Sequence, residues 1–130
     1  MIDMKKYLID TDVLIAHLRG EQKSLLRATF IDESVICYFS VGELLQGARN
    51  KRELRVLQDF LREFSIDWGS EAVHRKAVDL LTRYAPASGL HMSDAIIAAT
   101  AQARKLQVVT ANDKHFRAIK EIKVKTDWSP

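Results

Sequence analysis

Short runs of apolar, β-branched and aromatic residues recur along this chain, and each gives way to a stretch with helical spacing. Tyr7 to Ile9 precedes an apolar helical pattern from Val13 to Leu18, Ser34 to Phe39 precedes a segment opened by Ser40, and Gln107 to Thr110 precedes Asn112 to Ile119. A strand that is apolar throughout must be covered on both faces, as in a parallel sheet lying between two helical layers. Parallel neighbours also need a crossover long enough to hold a helix, and the intervening segments supply it. The alternation therefore predicts a three-layer α/β/α architecture around a central, mostly parallel sheet of four to five strands.

The remaining elements fit that frame. From Arg52 to Phe64, Leu54, Leu57, Leu61 and Phe64 form one stripe, an amphipathic helix. Another is expected from Ser70 to Tyr84, closed by Pro86 and Gly89, and the apolar segment that follows Asp94 reads as the most buried helix. A helical stretch from Ser24 to Phe30 and an edge strand from Lys123 to Thr126 complete the expectation. The 130 residues contain only two prolines and neither a repeat nor a Pro/Gly-rich linker, so residues 1–130 are read as a single domain.

Hydrophobic residues form 47% of the chain and charged ones 28%, enough apolar material for a core and too much for a disordered segment. The amino-terminal MIDMKKYLID interrupts its apolar residues at once and has neither a signal-peptide core nor a membrane span, which points to the cytoplasm and no membrane partner. A lone cysteine, Cys37, lies in an apolar run and is expected to be a buried, inert thiol. The net charge of +3 is compatible with a polyanionic substrate without requiring one. Two local clusters are basic, Arg49 to Arg55 and Lys114 to Lys125, and solvated helix surface accounts for either.

Three acids stand where a strand or its loop yields to a helix: Asp10, Glu43 and Asp94. In an open α/β sheet the carboxyl ends of the strands share one edge, where ligands bind, so the fold would gather these acids with Asn112 and Asp113. Each also has a plain structural reading: Asp10 or Thr11 as cap of the first helix, Ser40 with Glu43 as a capping box, Asp94 after Ser93 as a complement to a helix dipole, and Asn112 as cap of the last. Capping requires no common edge, whereas gathered carboxylates repel one another unless a cation or proton compensates them. An all-oxygen set kept ionised by helix termini suits Mg2+ or Mn2+. Zinc fits poorly, because His17, His74, His91 and His115 show no ligand spacing.

These residues resemble the PIN-domain ribonucleases, and more narrowly the VapC-type toxins of toxin–antitoxin pairs. "LIDTDVLI" is similar to the family's opening strand and first acid, "SVGELLQGA" to its second motif, "GLHMSDAIIAATA" to its third and "VVTANDKHF" to its fourth. The resemblance implies that Asp10, Glu43 and Asp94 form the acidic site, with Asp10 and Asp94 as direct metal ligands and Thr11, Asp12 and Ser93 as neighbours. In the fourth motif Asp113 is chosen, with Asn112 as its rival, while His115 stands before Phe116 where an acid is often found.

Also implied are hydrolysis of RNA to 5′-phosphate and 3′-hydroxyl ends with Mg2+ or Mn2+ as cofactor, a small VapB-like antitoxin lodged near Arg49 to Arg55, and a homodimer. Two other readings compete. An apolar strand ending in Asp-x-Asp resembles the first motif of haloacid-dehalogenase-like phosphatases, although the later Lys and acidic pair of that family are missing after Thr110. The other is a non-catalytic module on the same scaffold, binding RNA or a protein, with its acids used only as caps.

Overall fold

Strand β1 (Tyr7–Ile9) occupies the middle of a five-stranded, all-parallel sheet ordered β3-β2-β1-β4-β5. The computed structural model describes residues 5–21 and 25–128. After β1 come α1 (Thr11–Leu18), α2 (Ala28–Asp32), β2 (Ser34–Cys37), α3 (Tyr38–Gln46) and α4 (Lys51–Leu61). They are followed by β3 (Ser65–Asp67), α5 (Glu71–Ser88), α6 (Met92–Arg104), β4 (Gln107–Val109) and β5 (Val124–Lys125).

The twofold alternation of strand side chains divides the core into two layers. Leu8, Val35, Cys37 and Val108 pack with α5, α6, Phe116 and Ile119 on one face. Ile9, Ile36 and Val109 pack with α1, α3 and α4 on the other. Helix α6 is buried along nearly its whole length, from Ala95 to Ala101, as its apolar sequence requires. Leu8 has no exposed surface, so Leu8→Ala is expected to cost about 3 kcal/mol through lost burial and the cavity left behind. Urea denaturation reads this as a lower midpoint with an unchanged slope.

Several local expectations are corrected. β2 ends at Cys37, whose extended backbone caps α3, so the helix begins at Tyr38 rather than at Ser40. Tyr38 and Phe39 are half-buried against the α5/α6 core, and that packing outweighs their preference for a strand. Ser40 is thereby carried inside α3 and is fully buried, so the capping box with Glu43 does not form. α5 continues through Pro86 and ends at Ser88, where Gly89 takes the left-handed conformation (φ 69°) that closes helices at little cost in strain.

The expected helix from Asn112 to Ile119 is a set of turns. Asn112 Oδ1 accepts from the Lys114 N–H, and the Asp113 carbonyl accepts from Phe116 and Arg117. Burying both Phe116 and Ile119 fixes this path. β3 was not foreseen: three residues between two helices give too short a pattern, and pairing with β2 creates it. The expected Ser24–Phe30 helix falls partly outside the described residues, with α2 beginning at Ala28.

Candidate active site

In the register of β1 and β4, Tyr7 lies opposite Gln107, Leu8 opposite Val108 and Ile9 opposite Val109. The next residues, Asp10 and Thr110, leave the two strands side by side, and the Asp10 N–H donates to the Val109 carbonyl at 2.8 Å. From β1 the chain adds β2 and β3 on one side and later crosses to β4 and β5 on the other, so connections diverge between β1 and β4. Such a switch point leaves a crevice at the carboxyl edge of the sheet.

Asp10 is held there by both oxygens. As the cap of α1, its Oδ1 accepts from the Thr11 N–H at 2.8 Å, and its Oδ2 accepts from the Thr110 hydroxyl at 2.9 Å. Thr110 also lies 3.2 Å from Asp12 Oδ2, and the Ala111 N–H donates to the same carboxylate at 3.2 Å. From the opposite side, the Thr11 hydroxyl lies 2.8 Å from Glu43 Oε1 and 2.9 Å from Ser40 Oγ, which ties α3 to the loop after β1. Asp94, on the first turn of α6, accepts from the His91 N–H at 3.1 Å.

The electrostatics of this arrangement are unfavourable for the metal-free chain. Burial pushes the Asp10 carboxyl up from 3.8 to about 7, assisted by repulsion from Asp12 and, less strongly, from Asp94; the bonds from Thr110 and Thr11 offset only part of this. Asp10 therefore holds its proton to a higher pH than a free aspartate, because burial first and neighbouring carboxylates second disfavour its charge. A cation changes the balance. The donors are carboxylate oxygens, with Thr110 Oγ1 between two of them, and that chemistry fits a hard divalent ion rather than a thiophilic one.

Of the acids chosen from the sequence, Asp94 acts on Asp10 through its charge, while Glu43 reaches the loop after β1 through the Thr11 hydroxyl. Asp113 instead pairs with Arg117 at 3.3 Å and is one-third exposed, and Asn112 is engaged with Lys114. Asp12, which the sequence suggested only as a neighbour, is the acid that meets Thr110 beside Asp10. The second acid of the "DTD" string was the available signal, and the β1/β4 register gives it meaning. His91 and His115, far apart in sequence, lie beside Asp94 with ring centroids 5.3 Å apart, His115 at the fourth-motif position before Phe116. His17 and His74 have structural roles, the first accepting from the Leu26 N–H and stacking on Phe60, the second packing edge-on to Tyr38.

Thr110 is completely buried and is the one hydroxyl bridging Asp10 and Asp12 among the described contacts. Thr110→Val keeps its shape and removes that donor, so divalent-ion affinity is expected to fall about 10- to 100-fold. Calorimetric titration with Mn2+ checks this, with circular dichroism confirming that the sheet persists.

Comparison with known proteins agrees with this architecture. Residues 7–122 match the PIN domain family. Ribonuclease VapC10 of Mycobacterium tuberculosis is 35% identical over 120 residues, spanning 89% of this chain and 90% of that protein. Among solved structures, a toxin–antitoxin complex from Klebsiella pneumoniae superposes with a TM-score of 0.77 at 26% identity, covering 96% of this chain and 100% of the matched chain. DNA-bound VapBC from Salmonella typhimurium gives 0.82 at 22% identity, covering 94% and 98%. The match over nearly the whole length, together with acids collected at the β1/β4 switch point, means that the chain belongs to the PIN-domain family and, within it, to the VapC ribonucleases.

Proposed function

We propose that this protein is the ribonuclease toxin of a VapBC-type pair, hydrolysing RNA phosphodiesters with Mg2+ or Mn2+ to leave 5′-phosphate and 3′-hydroxyl ends. The observation that carries the reading is the buried and crowded Asp10 carboxyl, driven up to about 7 by burial first, then by repulsion from Asp12 and, less strongly, from Asp94. Such crowding is a cost to a merely structural site and an asset to one that binds a doubly charged ion.

Asp10, Asp94 and Glu43 would hold the cation, joined by Asp12. When bound, the ion supplies Lewis acidity toward the phosphate and lowers the pKa of a coordinated water. Thr110 fixes the Asp10 carboxylate in one orientation, and Thr11 does the same for Glu43. Asp113, proposed from the sequence as a fourth catalytic acid, would act from the rim through water, beside Arg117. Basic residues following it, Lys114, Arg117 and Lys120, offer the phosphate backbone a counter-charge.

A groove of about 740 Å³ opens beside this crevice. Ile15, Leu18, Leu44 and Val56 give it apolar walls, Arg49 and Arg52 a basic rim, and Glu43 connects it to the acids. An amphipathic segment of a VapB-like antitoxin lying there would cover Glu43 and close the approach to Asp10. A second copy of this chain is proposed as its other partner, giving a homodimer. Residues 1–130 are proposed to act as one nuclease domain. No helix among the described residues is long and apolar enough to cross a membrane.

The deciding experiment is cleavage of a mixed RNA pool by the purified protein. Cleavage with Mg2+ or Mn2+, lost on adding EDTA, with products that accept ligation through a 5′-phosphate, is the expected outcome. Products ending in a 2′,3′-cyclic phosphate would exclude water as nucleophile. The phosphatase reading has lost its support with membership of the PIN family, and phospho-aspartate trapping on Asp10 is expected to be negative.

A further inference from the structure

We propose that a pocket at the amino edge of the sheet, opposite the acidic crevice, binds a small phosphorylated molecule that also carries hydroxyl or amino groups, of the size and chemistry of a mononucleotide. The pocket has a volume of about 430 Å³ and is lined by Lys5, Lys6, Lys105 and Lys123 together with Gln102 and Glu121. That volume lies in the range of small-ligand sites. Lys5 and Lys6 lead into β1, Lys105 stands two residues before β4, and Lys123 immediately precedes β5. The three residues of β1, at about 3.3 Å each, therefore separate the pocket from Asp10, and no residue of the crevice lines it.

Like charges gathered in one pocket repel one another unless counter-charges compensate them. Two of the lysines are engaged by the end of α2: the Lys5 ammonium donates to the Asp32 carbonyl, and Lys6 pairs with Glu33 at 2.7 Å. Lys105 and Lys123 are exposed and have no ion-pair partner among the described residues. Glu121, the acid in the lining, is engaged by α5 instead: its Oε1 accepts from the Tyr84 hydroxyl at 2.7 Å and lies 3.5 Å from Arg83 Nη1. The pocket is thus left with uncompensated positive charge, which a phosphate group matches through charge-assisted hydrogen bonds.

Lys105 is the one non-glycine residue with a positive φ (56°) among the described residues, at the turn that carries α6 into β4. A glycine would take that conformation without strain, and strain of this kind gathers at ligand clamps. Gln102 Oε1 and Glu121 Oε2, both in lining residues, are buried and have no hydrogen-bond partner among the described residues. An unpaired buried acceptor costs free energy, and a hydroxyl or amino group on the bound molecule supplies the missing donor once these side chains turn toward it. The lysines therefore select for phosphate, and the two acceptors for a donor-bearing body attached to it. The inference does not depend on RNA being the substrate.

Adenosine 5′-monophosphate is the probe, titrated by calorimetry into the full metal-free chain, so that no cation draws it into the acidic crevice. Wild type and Asp10→Asn are both expected to bind one equivalent with the same affinity, and inorganic phosphate is expected to bind at least about tenfold more weakly. Lys105→Gln/Lys123→Gln is expected to weaken the nucleotide at least about tenfold, whereas Lys105→Arg/Lys123→Arg, which keeps both charges, stays within about threefold of wild type. Should circular dichroism show the glutamine pair to be disturbed, Lys123→Gln alone, exposed and outside any helix or strand, is expected to weaken binding in the same direction. No saturable uptake of the nucleotide, equal affinity for inorganic phosphate, binding lost in Asp10→Asn, or unchanged affinity in the glutamine variants would each overturn the proposal. Loss of Mg2+-supported RNA cleavage in Asp10→Asn bears on the ribonuclease reading alone, so the two ideas fail separately.

Discussion

Asp10→Asn is expected to lower the RNA cleavage rate by at least about a thousandfold while leaving the fold unchanged, a loss of roughly 4 kcal/mol of transition-state stabilisation. The amide keeps the size of the carboxyl and can still accept from the Thr11 N–H, so α1 retains its cap. What disappears is the charge that, in the proposed function, the crevice presents to a cation. Single-turnover cleavage with Mg2+, set beside melting of the same sample, reads both halves. Turnover near the wild-type rate would reduce Asp10 to a capping residue and remove the central member of the site.

The second large effect is a pH dependence of stability that runs opposite to that of an ion-paired acid. In the folded chain the Asp10 proton is held up to about pH 7, whereas an unperturbed aspartate releases it near 3.8. Between those values the unfolded state has already lost its proton and the folded state has not. The Asp10 contribution is therefore fully favourable below pH ~3.8 and is lost as pH rises through about 7. A shift of this size corresponds to about 4 kcal/mol, or a fall of about 15 °C in melting temperature for a domain of this length.

Other acids titrate in the same range, so the quantity to measure is the difference between wild type and Asp10→Asn, both in EDTA. That difference is expected to favour the variant increasingly from pH 4 to 8. Millimolar Mg2+ at pH 8 should reverse it, because a ligand bound only by the folded state stabilises that state. A difference that stays flat with pH would mean that Asp10 is not held in a repulsive environment.

These two expectations concern the same atoms and pull in opposite directions. The residue that the proposed function needs most for cation binding is the one whose charge the crevice by itself tolerates least. Arg49 with Glu53, Arg75 with Glu71 and Arg83 with Asp79 are exposed pairs that solvent screens, so they contribute far less than the Asp10 effect. The energetics of this protein are thus most sensitive at its site rather than on its charged surface.

Much of the fold was legible in the order of residues because patterning acts locally. Continuous apolar runs at Tyr7 to Ile9 and Gln107 to Val109 demanded a covered parallel sheet, the Leu54/Leu57/Leu61 stripe demanded a helix, and the segment after Asp94 demanded burial on all sides. The same logic placed Asp10 at the end of a strand, Glu43 one turn into the helix after another, and Asp94 at the start of the most buried helix. It failed where packing outweighed propensity: Tyr38 and Phe39 read as strand and became helix, and Ser40 read as a cap and became a buried partner of Thr11.

By itself, the sequence determined the layered architecture and that Asp10 ends the first strand, since both follow from side-chain periodicity over a few residues. Only the tertiary structure decided which groups meet: Asp12 rather than Asp113 beside Thr110, and His91 and His115 together at Asp94. Those meetings depend on the lateral register of β1 against β4 and on the path of the turn before Phe116. Both are set by burial between segments a hundred residues apart in the chain, where local spacing carries no information.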